Sequence, residues 1–173
     1  MENEDAVPTA EFADMVIRTL KDEELIKSCG SMPLLMFESV SDTRFAHEYG
    51  KLYSAKQKIL RGIAEKYEDT LRALYVKYDV SYEADGFEPA VLSAQFKANS
   101  VKNLVLTILA SLDTPDIRSL IQAQYRNAKS ATNRLTALSL YLSSSAFDRM
   151  DVLQEELARS AHHPLAFENF IAA

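Results

Sequence analysis

Apolar side chains recur at helical spacing through residues 100–146, and this periodicity is the feature that most limits how the chain can fold. In the first helix of the stretch they fall at i, i+3, i+4 and i+7, at positions Val101, Leu104, Val105, Ile108, Leu109 and Leu112. One face of such a helix must be buried against a neighbouring element. We therefore expect three amphipathic helices here, joined by two short turns, with successive helices antiparallel.

The two turns carry recognisable start and stop signals. Thr114 is predicted to cap a helix that begins at Pro115, because its hydroxyl can accept a hydrogen bond from a free backbone N–H group. Proline suits the first helical position because it has no backbone N–H that would need a partner there. Asn127 is predicted to end that helix in a left-handed conformation. Ser130 is predicted to cap the third helix, which carries Leu135, Leu138 and Leu142.

The N-terminal half of the chain also predicts helices. Thr9 and Asp22 are candidate caps for a first helix and a short second helix that stops at Gly30. A short helix is expected from Ser41 or Asp42 through Phe45 and Ala46 until Gly50. An apolar stripe then predicts a long helix from about Leu52 to Tyr78.

Two further helices flank the central stretch. Pro89 is expected to start one that continues toward Val101, with a bend at Asn99 and Ser100. Phe147 or Asp148 is expected to start another, whose apolar face consists of Met150, Leu153 and Leu157. With 4 Gly and 5 Pro among 173 residues and no hairpin dipeptide between alternating strands, the chain is predicted to be all-α.

Length and charge exclude several classes of protein. A chain of 173 residues is expected to form a single α-helical domain over residues 9–173, with residues 1–8 disordered or belonging to a cloning start. The net charge of −6 and the lack of a basic stripe argue against nucleic acid as a partner. Because no apolar run reaches the roughly 20 residues that span a bilayer, no membrane association is expected. The single cysteine, Cys29, and the acidic N-terminus favour a cytoplasmic location.

Residues 127–144, read with the end of the chain, resemble the C-terminal helical domain of the alanyl aminopeptidase N family of zinc-dependent M1 peptidases. The pattern typical of that family is matched by Thr132, Asn133, Arg134, Leu135, Ala137 and Leu138, and a second pattern is matched by Pro164, Leu165, Glu168 and Phe170. Asn169 and Phe170 stand where the family usually has Lys and Trp. The chain is therefore similar to a divergent member, and Asp22 and Pro33 extend the match toward Thr9.

The resemblance implies a fold and a function. It implies stacked antiparallel helical hairpins forming an armadillo- or HEAT-like superhelix. It also implies a fragment of a larger enzyme that removes N-terminal residues from peptides with a zinc-bound water. This chain would be the non-catalytic part that caps the active site and limits substrate access. Its partners would be the upstream catalytic domain of the same polypeptide and the peptide substrates of the parent enzyme.

No catalytic, cofactor-binding or metal-ligating residue is assigned in this chain. The segment His47-Glu48-Tyr49-Gly50-Lys51 begins like HExxH, but Lys51 stands where the second zinc ligand must be. The adjacent His162 and His163 cannot form an i, i+4 pair, and they are interpreted as a polar helix end near the final carbonyls. Zinc is therefore expected in the parent enzyme only, and this chain alone is expected to have no peptidase activity.

Other reactive side chains have structural interpretations. Cys29 is interpreted as a small buried hydrophobe, and Ser143, Ser144 and Ser145 as a helix ending. Five tyrosines are interpreted as core and inter-helix packing, namely Tyr49, Tyr53, Tyr67, Tyr75 and Tyr78. The alternative function, from a different class, is a free-standing helical-repeat adaptor that binds a protein partner in a concave groove.

Overall fold

The computed structural model describes residues 9–37, 48–80 and 88–172. Within those ranges the elements are a short 3₁₀ segment, Met32–Phe37, and eight α-helices: α1 (Ala10–Lys21), α2 (Glu23–Cys29), α3 (Tyr49–Lys77), α4 (Pro89–Ala110), α5 (Pro115–Asn127), α6 (Ala131–Leu142), α7 (Arg149–Ser160) and α8 (Pro164–Ala172). These ranges contain no strand, which confirms the all-α prediction. The chain divides into two compact units, residues 1–111 and 112–173.

The first unit begins with the two predicted caps. Thr9 Oγ1 accepts a hydrogen bond from the amide of Phe12 at 3.2 Å, and Asp22 Oδ1 accepts one from the amide of Leu25 at 3.0 Å. Each bond satisfies an amide that has no partner inside its helix. Both helix starts are therefore confirmed.

Gly30 ends α2 as predicted, and it also brings α2 against α4. Its φ of +62° lies in the left-handed region, where a Cβ is disfavoured. A Cβ at this position would lie 2.7 Å from Ser100 Oγ and 3.2 Å from Lys97 Cα. The amide of Ser31 donates to Ser100 Oγ at 3.1 Å. The absence of a side chain at Gly30 thus permits the close approach of these two helices.

The long helix α3 begins three residues before the predicted start. The predicted helix stop at Gly50 is wrong, because Gly50 lies in the first turn of α3 with open space where a Cβ would be. The short helix predicted over Ser41–Ala46 lies outside the described residues. Within α3 the backbone leaves helical geometry at Tyr67, where φ is −129° and ψ is 27°.

Contacts to α1 surround this break in α3. Asp14 accepts hydrogen bonds from the Tyr67 hydroxyl and, at 2.7 Å, from Lys66 Nζ. The bond from Lys66, with that from Tyr67, holds the pKa of the Asp14 carboxyl below its ordinary value. The two residues at the break, Lys66 and Tyr67, are therefore bonded to α1.

The helix α4 is continuous from Pro89, so the predicted bend at Asn99 and Ser100 is wrong. Pro89 occupies the first turn, as predicted. The Ser100 hydroxyl donates to the Lys97 carbonyl at 2.8 Å and accepts from the amide of Ser31, which follows α2, so this polar position is accommodated within the helix. α4 packs against α3, and the two helices bury Leu60, Ile63, Leu71, Val101, Val105 and Leu106.

In the second unit α5 and α6 pack together across residues 128–130. The Ser130 cap is confirmed, since its Oγ accepts from the amide of Asn133 at 3.2 Å. α5 begins at Pro115 after the N-cap residue Thr114, as predicted, but the predicted hydroxyl cap is wrong, because that hydroxyl donates to Asp116 Oδ1 at 2.6 Å instead. The helix ends at Asn127 as predicted, but the left-handed conformation is wrong, because Asn127 is helical and the C-cap residue Ala128 has φ −61° and ψ 125°.

Asp113, before α5, is the residue that adopts the left-handed conformation. Its φ is 50°. Its carboxylate accepts from the amide of Ser145 at 3.0 Å and from Arg118 Nη1 at 3.1 Å. Burial raises the pKa of this carboxyl, but the bonds from Ser145 and Arg118 outweigh burial and hold it below its ordinary value. These bonds connect the start of α5 to the segment that follows α6.

The helix α7 buries a different face from the one predicted. Met150 and Leu157 are 55% and 44% exposed, whereas the buried residues are Val152, Glu156 and Ser160. The predicted face is wrong because Glu156 finds polar partners on neighbouring helices and so can replace an apolar residue in the interior. In α8, Leu165 and Ile171 are 61% and 67% exposed. None of the helices in the described ranges is long and apolar enough to cross a membrane.

Candidate functional site

The candidate site is a groove in the first unit, between α2, the end of α3 and the start of α4. It encloses about 500 Å³. That volume falls in the range of roughly 300–1,000 Å³ usual for ligand sites. The groove is open to solvent along one side. It is therefore large enough to hold a few side chains of a partner.

Small residues on α4 form one side of the groove. Ala90, Ala94 and Ala98 all line it, and their four-residue spacing places them on one face of the helix. Methyl side chains at these three positions leave space that larger residues would fill. Ile26 and Tyr78, which are 3% and 9% exposed, also line the groove and give it an apolar surface.

Charged residues line the edges of this groove. Three lysines and one glutamate take part, so the lining is basic although the whole chain has a net charge of −6. Lys77 Nζ lies 2.6 Å from Glu23 Oε1, which joins the end of α3 to the start of α2. The hydrogen bond from Lys77 holds the pKa of the Glu23 carboxyl below its ordinary value. Lys27 Nζ lies 2.9 Å from the exposed Glu24.

Lys97 differs from the other two lysines. It is half-buried on α4, and its Nζ donates to the backbone carbonyl of Lys27 at 2.9 Å. No ion pair joins Lys97 to a carboxylate of the described residues. An ammonium has three N–H donors, so hydrogen-bonding capacity remains for a group that enters the groove.

The HExxH-like segment lies at the start of α3. His47 is outside the described residues. Glu48 Oε2 lies 3.1 Å from Lys51 Nζ, so these two residues, which are one helical turn apart, form an ion pair. The lysine that replaces the second histidine thus forms a local pair with the glutamate.

The two C-terminal histidines are exposed between α7 and α8. His163 Nδ1 accepts a hydrogen bond from the amide of Ala166 at 3.2 Å. The predicted polar end of α7 is confirmed, and the His163 imidazole also caps the start of α8. Cys29 is half-buried, and its thiol donates to the Leu25 carbonyl at 3.2 Å.

The interpretation of the serine triplet is confirmed, and that of the tyrosines is confirmed only in part. The helix ending at Ser143–Ser145 is confirmed, since α6 ends at Leu142. Tyr75 and Tyr78 are buried as predicted, but Tyr49 and Tyr53 are 52% and 51% exposed, so their assignment to the core is wrong. Both lie in the first turns of α3, beyond the buried part of that helix.

Within residues 9–37, 48–80 and 88–172, no three His, Cys, Asp or Glu side chains are grouped so that they could hold a metal ion. The predictions that the chain has no catalytic, cofactor-binding or metal residue stay predictions. Sequence reasoning did not identify the groove. The signal that could have found it is the repeated alanine at positions 90, 94 and 98.

Among the residues that the structure describes, the most buried acid is Glu156 in the second unit, which has no exposed surface. Tyr125 donates its hydroxyl hydrogen to Glu156 Oε2 at 3.0 Å, and Arg134 Nε donates to Oε1 at 3.2 Å. The Ser160 hydroxyl is 3.4 Å from Oε1. Glu156 is closed to solvent, whereas the Arg134 side chain is 25% exposed. Because the polar groups of the cluster bond to one another, we interpret it as a structural link between α5, α6 and α7.

Comparison with known proteins places the chain in a family of helical-repeat domains. A family model described as a domain of unknown function (DUF3458_C) with ARM repeats matches residues 1–173. No curated protein matches the chain significantly. The helical hairpins described above agree with this description, and the repeat class predicted from the sequence is thereby confirmed. The chain belongs to the DUF3458_C family of ARM-repeat domains.

Proposed function

We propose that this chain is the non-catalytic C-terminal helical domain of a zinc-dependent aminopeptidase. The observation that carries the proposal is the ARM-repeat family match over residues 1–173, in a chain that resembles that domain in sequence. In this proposal the parent enzyme removes N-terminal residues from peptides in the cytoplasm. The helical domain packs on the upstream catalytic domain and limits which substrates reach the zinc.

The residues that carry the resemblance support the proposal through their structural roles. Arg134 binds the buried Glu156, and the backbone carbonyl of Asn133 accepts from Gln124 at 3.0 Å. Ala137 and Leu138 are buried in α6. A pattern made of such packing positions is typical of a shared fold, and these side chains have no role in the peptidase chemistry. All catalytic groups, including the zinc ligands, are then expected in the upstream domain.

The test begins with the reading frame upstream of the codon for Met1. We expect it to encode HExxH and a further glutamate ligand. The longer polypeptide, expressed with and without residues 1–173, is then assayed on a leucyl anilide and on a folded protein substrate. We expect the complete form to cleave only the short substrate, and the shortened form to lose this discrimination.

Controls use the 173-residue chain alone. With added zinc it is expected to show no turnover of alanyl or leucyl amides. Turnover by this chain, or a stop codon immediately upstream, would overturn the proposal.

The second candidate function is a helical-repeat adaptor for a protein partner. The groove of the first unit favours it, because a basic cleft with an apolar lining is suited to holding part of another chain. A stop codon upstream combined with peptide binding by the 173-residue chain would support the adaptor.

A further inference from the structure

We propose that the groove between α2, α3 and α4 binds an extended acidic peptide segment of a protein partner. The proposal concerns binding by this chain alone and holds whether or not the chain belongs to an aminopeptidase. Its occupant is a short stretch in which a carboxylate side chain stands next to an apolar one.

The charge of the groove selects a negatively charged occupant. Three lysines and one glutamate line it, on a chain that has 25 acidic and 19 basic residues. Lys77 is engaged by Glu23 at 2.6 Å and Lys27 by Glu24 at 2.9 Å. Lys97 makes only its bond to a carbonyl among the contacts of the described residues, so of the three lysines it is the one whose charge no described carboxylate neutralises.

The position of Lys97 strengthens this selection. The residue is half-buried on α4. Its hydrogen bond to the Lys27 carbonyl at 2.9 Å holds the ammonium at the end of α2. A carboxylate in the groove therefore meets a cation that is already positioned.

The lining of the groove selects the rest of the occupant. Ala94 and Ala98 leave space beside the apolar surfaces of Ile26 and Tyr78. We expect a small apolar side chain to fit here, because its own apolar surface is then removed from water. The open side lets a chain enter and leave, as in the extended concave surfaces that repeat proteins use for binding.

The binding test uses fluorescein-labelled peptides and the full 173-residue chain, followed by fluorescence anisotropy. The probe is Gly-Leu-Glu-Leu-Asp-Leu-Gly, and its matched control is Gly-Leu-Gln-Leu-Asn-Leu-Gly. We expect the acidic peptide to bind at least about tenfold more tightly than the amide peptide. We also expect its affinity to fall when NaCl is raised from about 0.05 to about 0.5 M.

Two variants locate the site. Lys97→Met keeps the length of the side chain and removes its charge, and we expect it to weaken binding of the acidic peptide about tenfold. Ala94→Leu fills the groove with a residue that favours helix, and we expect it to abolish binding. Matched controls are Lys21→Met and Ala73→Leu, at exposed positions outside the groove, and they are expected to bind as the unmodified chain does.

Circular dichroism of each variant separates loss of binding from loss of folding. The proposal is overturned if the acidic peptide shows no binding up to about 1 mM, a weak limit of specific recognition. Equal binding of the two peptides also overturns it. So does unchanged binding by both Lys97→Met and Ala94→Leu when their circular dichroism is native.

Discussion

Lys102 in the first unit and Glu156 in the second are both charged and buried, but they are held in different ways. Lys102 is 6% exposed, and its Nζ lies 2.5 Å from Asp79 Oδ1 and 5.0 Å from the ring centroid of Tyr75. Both partners lie at or just beyond the end of α3, and the Asp79 side chain is 61% exposed. Lys102 thus reaches the surface through its long stem, as amphipathic side chains do.

Glu156 has no such route to water. It is 0% exposed, and its partners Tyr125, Arg134 and Ser160 lie on α5, α6 and α7. Arg159 Nη1 adds an ion pair at 3.6 Å. A buried carboxylate is tolerated only when such partners replace its hydration. The Lys102 ammonium thus has a partner that is exposed to water, whereas Glu156 is held by tertiary contacts to Tyr125 and Arg134 and by two residues of its own helix.

The largest expected effect comes from Glu156→Ala. The change leaves Arg134 without its buried anion and Tyr125 without its acceptor, and we expect the free energy of unfolding to fall by about 3–5 kcal/mol. Urea unfolding followed by circular dichroism measures the loss. The matched control Glu155→Ala removes an exposed pair to Arg159 and is expected to change stability by at most about 0.5 kcal/mol. Similar losses of stability for the two variants would show that Glu156 contributes no more to stability than the exposed Glu155 does.

A smaller effect is expected from Lys102→Met. Methionine replaces most of the buried stem, and Asp79 stays hydrated because it is largely exposed. The lost interactions are then mainly the contact with Tyr75 and a screened ion pair. We expect the free energy of unfolding, measured in urea, to fall by about 1 kcal/mol. Lys21→Met is the control. A loss as large as that for Glu156→Ala would show that Lys102 also depends on tertiary contacts.

The smallest effect on stability near neutral pH is expected from three tyrosines with raised pKa values, Tyr75 in the first unit and Tyr125 and Tyr141 in the second. Burial raises the pKa of Tyr75 and of Tyr125, and for Tyr125 the bond to Glu156 raises it further. Burial, together with the bond to Asp148, raises the pKa of Tyr141 to about 12. A raised folded-state pKa gives stability that is complete below the unfolded value of about 10 and is lost as pH rises through the folded value.

We therefore expect no change in stability from these groups between about pH 6 and 9, and a decline above about pH 10. Tyrosinate absorbance and circular dichroism, measured together against pH, test this. In Tyr141→Phe the decline between about pH 10 and 12 should be shallower. An unchanged decline would exclude Tyr141 as a contributor.

Local signals in the sequence predicted much of the fold. Thr9, Asp22 and Ser130 cap helices where predicted, because each cap depends on the side chain and the next three residues. The period of apolar residues predicted α3, α5 and α6, because this period is also a local property of the sequence. Asp113 was missed, since its left-handed backbone depends on bonds to Ser145, 32 residues away.

The buried face of α7 and the groove could not be predicted from local pattern. Glu156 reads as a surface residue until Arg134 and Tyr125 are placed beside it, and Met150 and Leu157 read as core. The groove arises where three helices meet around small residues. Ala94 has no chemical signature of its own, so its role depends on the neighbours that α2 and α3 supply.

The break at Tyr67 has a geometric consequence for α3. An unbroken helix of 29 residues would be a single straight rod about 43 Å long. With non-helical geometry at Tyr67, α3 consists of two shorter helical segments, and the residue at the break is bonded to α1 through Asp14. The second segment ends at Lys77, in the wall of the groove. The direction that α3 takes after Tyr67 therefore sets where this wall of the groove lies.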